Sequence, residues 1–127
     1  MANKTLVVVS NHPVDKWDDT QLQGWDDISY IPHPIIPATM TGVEINKLVI
    51  EIMDKIMLAI DLTNVSNTYF CIQGDYSFVF RLWKEIEYNL CVNNEQFIFP
   101  TTDRKVVETI KDGVTVKETI FKFVQWR

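Results

Sequence analysis

The sequence predicts a single α/β domain over residues 1–127: a Rossmann-like, mostly parallel sheet with flanking helices and a C-terminal antiparallel β-hairpin. Three observations carry that reading. Leu6 to Ser10 is a continuous β-branched run, the pattern of a strand buried on both faces. The stretch from Tyr69 to Trp83 changes period in the middle, from an apolar run into helical spacing, which reads as strand, tight turn, helix. Two β-rich runs near the C-terminus flank Asp112-Gly113, a favoured pair for a two-residue hairpin turn.

Each element follows in order. The first strand ends at Ser10-Asn11-His12-Pro13. Asp15 to Asp27 is acidic and carries Trp17 and Trp25, which predicts a short helix or an ordered loop. Ile28 to Ile31 is a short second strand. Pro32-His33-Pro34-Ile35-Ile36-Pro37 places three prolines within six residues and so forms a rigid, extended loop. The clearest helix begins after Thr41-Gly42. Leu48, Val49, Ile52, Met53, Ile56, Met57 and Ile60 form its apolar stripe, with Glu51, Asp54 and Lys55 opposite. Asn64 to Asn67 is a polar turn, and Tyr69 to Ile72 is the third strand. Gln73-Gly74-Asp75 turns the chain into a helix whose stripe runs through Phe78, Val79, Leu82, Trp83, Ile86 and Leu90. Glu95 to Phe99 reads as a fourth strand entering the polar segment Pro100-Thr101-Thr102-Asp103-Arg104. Val106 to Ile110 and Thr115 to Val124 are the hairpin strands.

Composition bounds the function. Apolar residues make up 46% and charged residues 23%, ordinary for a soluble domain. A net charge of −5 argues against sequence-independent binding to duplex nucleic acid, which needs a basic face. The opening Met1-Ala2-Asn3-Lys4 leads straight into a strand, so no leader is expected. No apolar run reaches the roughly 18–20 residues that span a bilayer. The expected partners therefore include no membrane, and the expected location is the cytoplasm. Cys71 and Cys91 lack metal-ligand spacing and read as two buried, reduced thiols.

Candidate chemistry lies at the strand ends, where α/β proteins bind ligands. Ser10, Asn11 and His12 follow the first strand, and an imidazole there suits general acid–base work. The plain structural alternative is a loop residue before Pro13. Gly74 lets a ligand approach the backbone, while Asp75 or Ser77 caps the following helix. Gln73, a carboxamide ending a buried strand, reads as a ligand contact. Thr101, Thr102 and Arg104 combine hydroxyls with a guanidinium suited to phosphate, although an exposed Arg paired with an acid is the simpler account. His33 and Lys47 are weaker candidates. No dinucleotide fingerprint, phosphate loop, HExxH, CxxC or GxSxG is present, so neither a cofactor nor a built-in metal site is expected.

The first strand ending Ser-Asn-His-Pro, the Ile-Gln-Gly-Asp-Tyr turn, the Pro-Thr-Thr-Asp-Arg segment and the closing Phe-Lys-Phe-Val-Gln-Trp-Arg resemble small stand-alone CRISPR-associated proteins of type III systems. Those are minimal relatives of the CARF domains, Rossmann-like sensors of cyclic oligoadenylate. The resemblance implies a CARF-like homodimer that binds cyclic oligoadenylate, with cyclic tetra-adenylate the expected ring. It implies a ring nuclease that opens the ring without metal, by attack of a ribose 2′-hydroxyl that leaves a 2′,3′-cyclic phosphate. The catalytic group would then be His12, Ser10 and Arg104. Asn11, Gln73, Gly74, Asp75, Ser77, Thr101 and Thr102 would contact the ring. A non-catalytic sensor of the same ligand and a small interaction domain with no nucleotide ligand are the competing readings. Sparse Lys and Arg near these clusters sit poorly with so anionic a ring.

Overall fold

Alternation within two adjacent parallel strands organises the molecule. A computed structural model describes residues 3–127; Met1 and Ala2, on which part of the leader expectation falls, lie outside the described residues. Strand β1 (Thr5–Ser10) pairs in parallel with β2 (Asp27–Pro32) on one side and β3 (Thr68–Ile72) on the other, giving the order β2-β1-β3. Val7, Val9, Phe70 and Ile72 face one way, into a core shared with Val49, Ile52, Phe78 and Leu82 of the helices. Leu6, Val8 and Cys71 face the other way, beneath Trp17, Trp25 and Trp126. This two-sided burial is what a continuous β-branched run encodes.

The helix layer holds α2 (Gly42–Ala59) and α3 (Tyr76–Leu90). Helix α2 starts at a full capping box: the Thr41 hydroxyl accepts the Glu44 N–H, and the Glu44 carboxylate accepts the Thr41 N–H. Helix α3 ends at Cys91 in the left-handed region, φ +53°. The opposite layer is aromatic. A 3-10 turn (Val14–Lys16) and the one-turn helix α1 (Asp19–Leu22) supply the short helix expected there, and Trp17 and Trp25 lie over the sheet. Both rings contact Trp126, and Trp25 meets Tyr69 edge-on at 5.5 Å.

Strands β4 (Pro100–Lys111) and β5 (Val114–Trp126) form a separate antiparallel ribbon. Asp112 (φ +52°) and Gly113 (φ +77°) make its two-residue turn. Its strands are longer at both ends than the runs Val106 to Ile110 and Thr115 to Val124 suggest.

Three expectations need correction. Glu95 to Phe99 does not form a strand: Asn94–Gln96 is a 3-10 turn, and one bridge joins Phe97 to Phe70. Gln96 accounts for the difference. Its carboxamide turns inward, donating to the Val65 and Thr68 carbonyls at 2.8 Å and accepting the Asn93 N–H. The polar segment Thr101 to Arg104 is the opening of β4, not a loop at a strand end; its β-branched threonines suit a pleated ribbon. Cys71 is buried as expected, but Cys91 is exposed.

Candidate functional site at the carboxyl ends of the parallel strands

Strand order fixes where the site falls. Because β2 and β3 lie on opposite sides of β1, the chain reverses direction across the sheet between β1 and β3. Open α/β sheets bind ligands in the crevice at the carboxyl ends beside such a reversal. Ser10 ends β1, is 1% exposed, and holds three groups together. Its carbonyl accepts the Tyr30 hydroxyl at 2.8 Å and the His33 N–H at 3.1 Å, while its Oγ accepts the His12 N–H at 3.0 Å. The Gln73 N–H donates to the Val9 carbonyl at 2.9 Å. Ser10, Asn11 and His12 therefore stand beside Gln73, Gly74 and Asp75. Asn11 and His12 are exposed, and their side chains make no hydrogen bond or ion pair with other described residues.

The turn after β3 is built around His33, from the end of β2. A Cβ on Gly74 would overlap the His33 ring, so the backbone passes flush against the imidazole. The Asp75 N–H donates to His33 Nε2 at 3.2 Å. That bond assigns the ring proton to Nδ1, which lies 2.6 Å from the Pro34 carbonyl it donates to. The ring also packs edge-on against Phe78 at 4.8 Å. With both nitrogens engaged, His33 positions the turn. Asp75 then caps α3 by accepting the Phe78 N–H at 3.0 Å.

The cation that sequence reading missed is Arg81. Its Nε–H donates to the Ser77 hydroxyl at 3.2 Å and its Nη1–H to Asn46 Oδ1 at 2.8 Å. Its Nη2 lies 2.9 Å from where a Gly42 Cβ would stand, so the guanidinium sits against the first turns of both α2 and α3. Both helix N-termini add partial positive charge. The ion pairs among the described residues are Lys111–Glu118 and Lys117–Glu108, so no carboxylate neutralises Arg81. Ser77 and Arg81 are four residues apart, one helical turn beyond Gln73-Gly74-Asp75, and that spacing was the available signal.

Three expected residues make the following contacts within the ribbon. The Thr101 hydroxyl bonds the backbone of Gln125 across the ribbon, and Thr102 faces Phe123. The Arg104 guanidinium lies 5.1 Å from the Phe121 ring centroid. No hydrogen bond or ion pair joins these three to Ser10, His12 or Gln73 among the described residues.

Gln73 is half-buried, and its carboxamide oxygen receives only a long contact from Cys71 Sγ at 3.8 Å. Burial pushes the Cys71 thiol up to about 12, so it is inert as a nucleophile at neutral pH. A hollow of about 640 Å³ opens at the other end of the sheet, lined by Asn3, Thr5, Asp27, Asp61 and Asn64 among others. Its described lining contains no Lys, Arg or His and does contain Asp27 and Asp61, so it offers an anion no positive charge. No group of three or more His, Cys, Asp or Glu among the described residues is placed to hold a metal ion. No helix of the described residues is long and apolar enough to cross a membrane.

A family model described as the Uncharacterized protein MJ1673 family matches residues 4–127. The chain belongs to that family. No curated protein and no solved structure matches it. The span matched by the MJ1673 family takes in both the strand-end cluster and the ribbon, so the two belong to one family unit.

Proposed function

We propose that this protein is a Rossmann-like, CARF-like domain that binds cyclic oligoadenylate at the carboxyl ends of β1 and β3 and opens the ring. The observation that carries the proposal is the reversal of strand order between β1 and β3, with exposed Asn11 and His12 on one side and the glycine-flush turn at Gly74 on the other. Arg81, in no ion pair among the described residues and set against two helix N-termini, supplies the positive charge that phosphate requires. Ser10 shapes the loop that presents His12. Arg104, Thr101 and Thr102 complete the pocket in this scheme, with Arg104 neutralising phosphate charge.

Ring opening proceeds by attack of a ribose 2′-oxygen on the adjacent phosphorus. The bond from phosphorus to the 5′-oxygen breaks, leaving a 2′,3′-cyclic phosphate and a 5′-hydroxyl. His12 takes the 2′-hydroxyl proton or delivers one to the 5′-oxygen, and Arg81 offsets the developing charge. The nucleophile belongs to the substrate, so the step calls for no metal-bound water. The proposed setting is the cytoplasm, and the proposed assembly is a homodimer with the ring across its two-fold axis.

One observation favours a non-catalytic sensor as the second reading: among the described residues no side chain is hydrogen-bonded to the His12 imidazole, whereas catalytic bases are commonly held by a partner. Calorimetric titration with cyclic tetra-adenylate, run beside a cleavage assay, separates the two. For the enzyme, His12→Ala lowers cleavage by about 10²- to 10⁴-fold while affinity holds. Full cleavage by His12→Ala removes His12 from the mechanism. No heat of binding for wild type, with no product, removes the ligand.

A further inference from the structure

Among the described residues, the ribbon's hydrogen bonds and ring contacts with the rest of the molecule lie at its base. There Phe123 is buried, the Trp126 Nε1–H donates to the Gln21 carbonyl at 3.2 Å, and the Phe99 and Arg127 backbones exchange two hydrogen bonds. From Asp103 and Lys122 outward, nine paired positions continue to the turn, about 27 Å of strand. Apolar side chains on this stretch stand in solvent: Val106 is 62% exposed, Ile110 78% and Phe121 60%. A lone two-stranded ribbon is marginal in water, and its open edges are templates for pairing.

Charge names the occupant. Residues 1–99 carry six Lys and Arg against thirteen Asp and Glu, a balance of −7. Residues 100–127 carry six against four, a balance of +2. The acid is densest between Asp15 and Asp27, where five Asp face a single Lys, and this segment runs into β2, the outer strand of the sheet with one edge unpaired. We propose that the ribbon is a dimerisation arm: its apolar outer part, which from Asp103 to Lys122 carries five Lys and Arg against four Asp and Glu and leaves Arg104 and Lys105 outside the ribbon's own ion pairs, lies on the Asp15 to Asp27 segment and the β2 edge of a second copy, which returns its own arm in the same way. Apolar area and opposite charge then act together, and each copy covers the surface the other leaves bare. The inference stands independently of any nucleotide.

Sedimentation of the full chain without ligand tests it, at about 100 µM protein, which populates any dimer with a micromolar Kd. The expected result is a dimer that weakens as salt rises. Val106→Glu combined with Phe121→Glu should weaken it by about tenfold or more, and Asp15→Asn combined with Asp19→Asn should do likewise. Near-UV circular dichroism of the tryptophan cluster should stay unchanged in both, which separates lost docking from lost fold. As a second measurement, amide exchange in β4 from Val106 to Lys111 should slow as protein concentration rises. A monomer at that concentration overturns the proposal, as does a dimer that neither pair of substitutions weakens.

Discussion

Gly74 and His33 approach from two strand ends, and neither position tolerates what the other excludes. Gly74→Ala drives a Cβ into the imidazole and should destabilise the protein by about 1–3 kcal/mol in chemical denaturation. Adding His33→Ala should recover part of that loss, because the clash disappears; additive effects would mean that the ring is not the obstacle. The two cysteines differ as sharply. A thiol reagent at mildly alkaline pH should label Cys91 in the native protein and Cys71 only after unfolding, since burial holds the Cys71 thiol protonated up to about 12. A raised thiol pKa contributes stability that is whole below its ordinary value near 9.0 and is lost as pH rises toward 12. Stability should therefore decline across that alkaline window, and Cys71→Ser should flatten the decline. At the site itself, Arg81→Ala should weaken anion binding while leaving the His33 turn in place, read by titration with nucleotide.

Elements differ in how much of them the chain announces. Strands β1 and β3, helices α2 and α3 and the Asp112-Gly113 turn follow from period and turn chemistry. The capping box, Thr41 three residues before Glu44, was not named from the sequence and emerges with the structure. Thr41→Ala should cost about 0.5–2 kcal/mol. The Thr41 backbone N–H, and then its hydroxyl, hold the Glu44 carboxyl below its ordinary range. Its contribution is present above that range and is lost as pH falls through the lowered value, so Glu44→Gln should blunt the acid sensitivity of unfolding. Two elements were not legible, for physical reasons. Glu95 to Phe99 has strand composition, but the Gln96 carboxamide satisfies backbone carbonyls beneath β3 and curls the chain instead. Thr101 to Arg104 reads as a polar loop because an exposed ribbon has no buried face to impose alternation. Arg81 escaped notice because, in sequence, a cation within an amphipathic helix looks like any solvated side chain. Only the fold brings it to Ser77, Asn46 and Gly42.

For the whole molecule, a three-stranded sheet is clad by helices on one face and tryptophans on the other, with a ribbon projecting from the aromatic side. Trp126 joins these parts, touching Trp17, Trp25 and Phe123. Trp126→Ala should cost about 3–5 kcal/mol and free the base of the ribbon, seen as faster amide exchange in β5. Different tasks are proposed for different parts of the molecule: an anion at the strand ends beside Arg81, and a second copy at the ribbon. The central claim concerns the first task. Incubating the full chain with cyclic tri-, tetra- and hexa-adenylate in EDTA, with chromatography of products and a thermal melt beside it, tests that claim most directly. The account predicts linear products ending in 2′,3′-cyclic phosphate from at least one ring, and a higher melting temperature with that ring. Unchanged nucleotide and an unchanged melt for all three rings would contradict it.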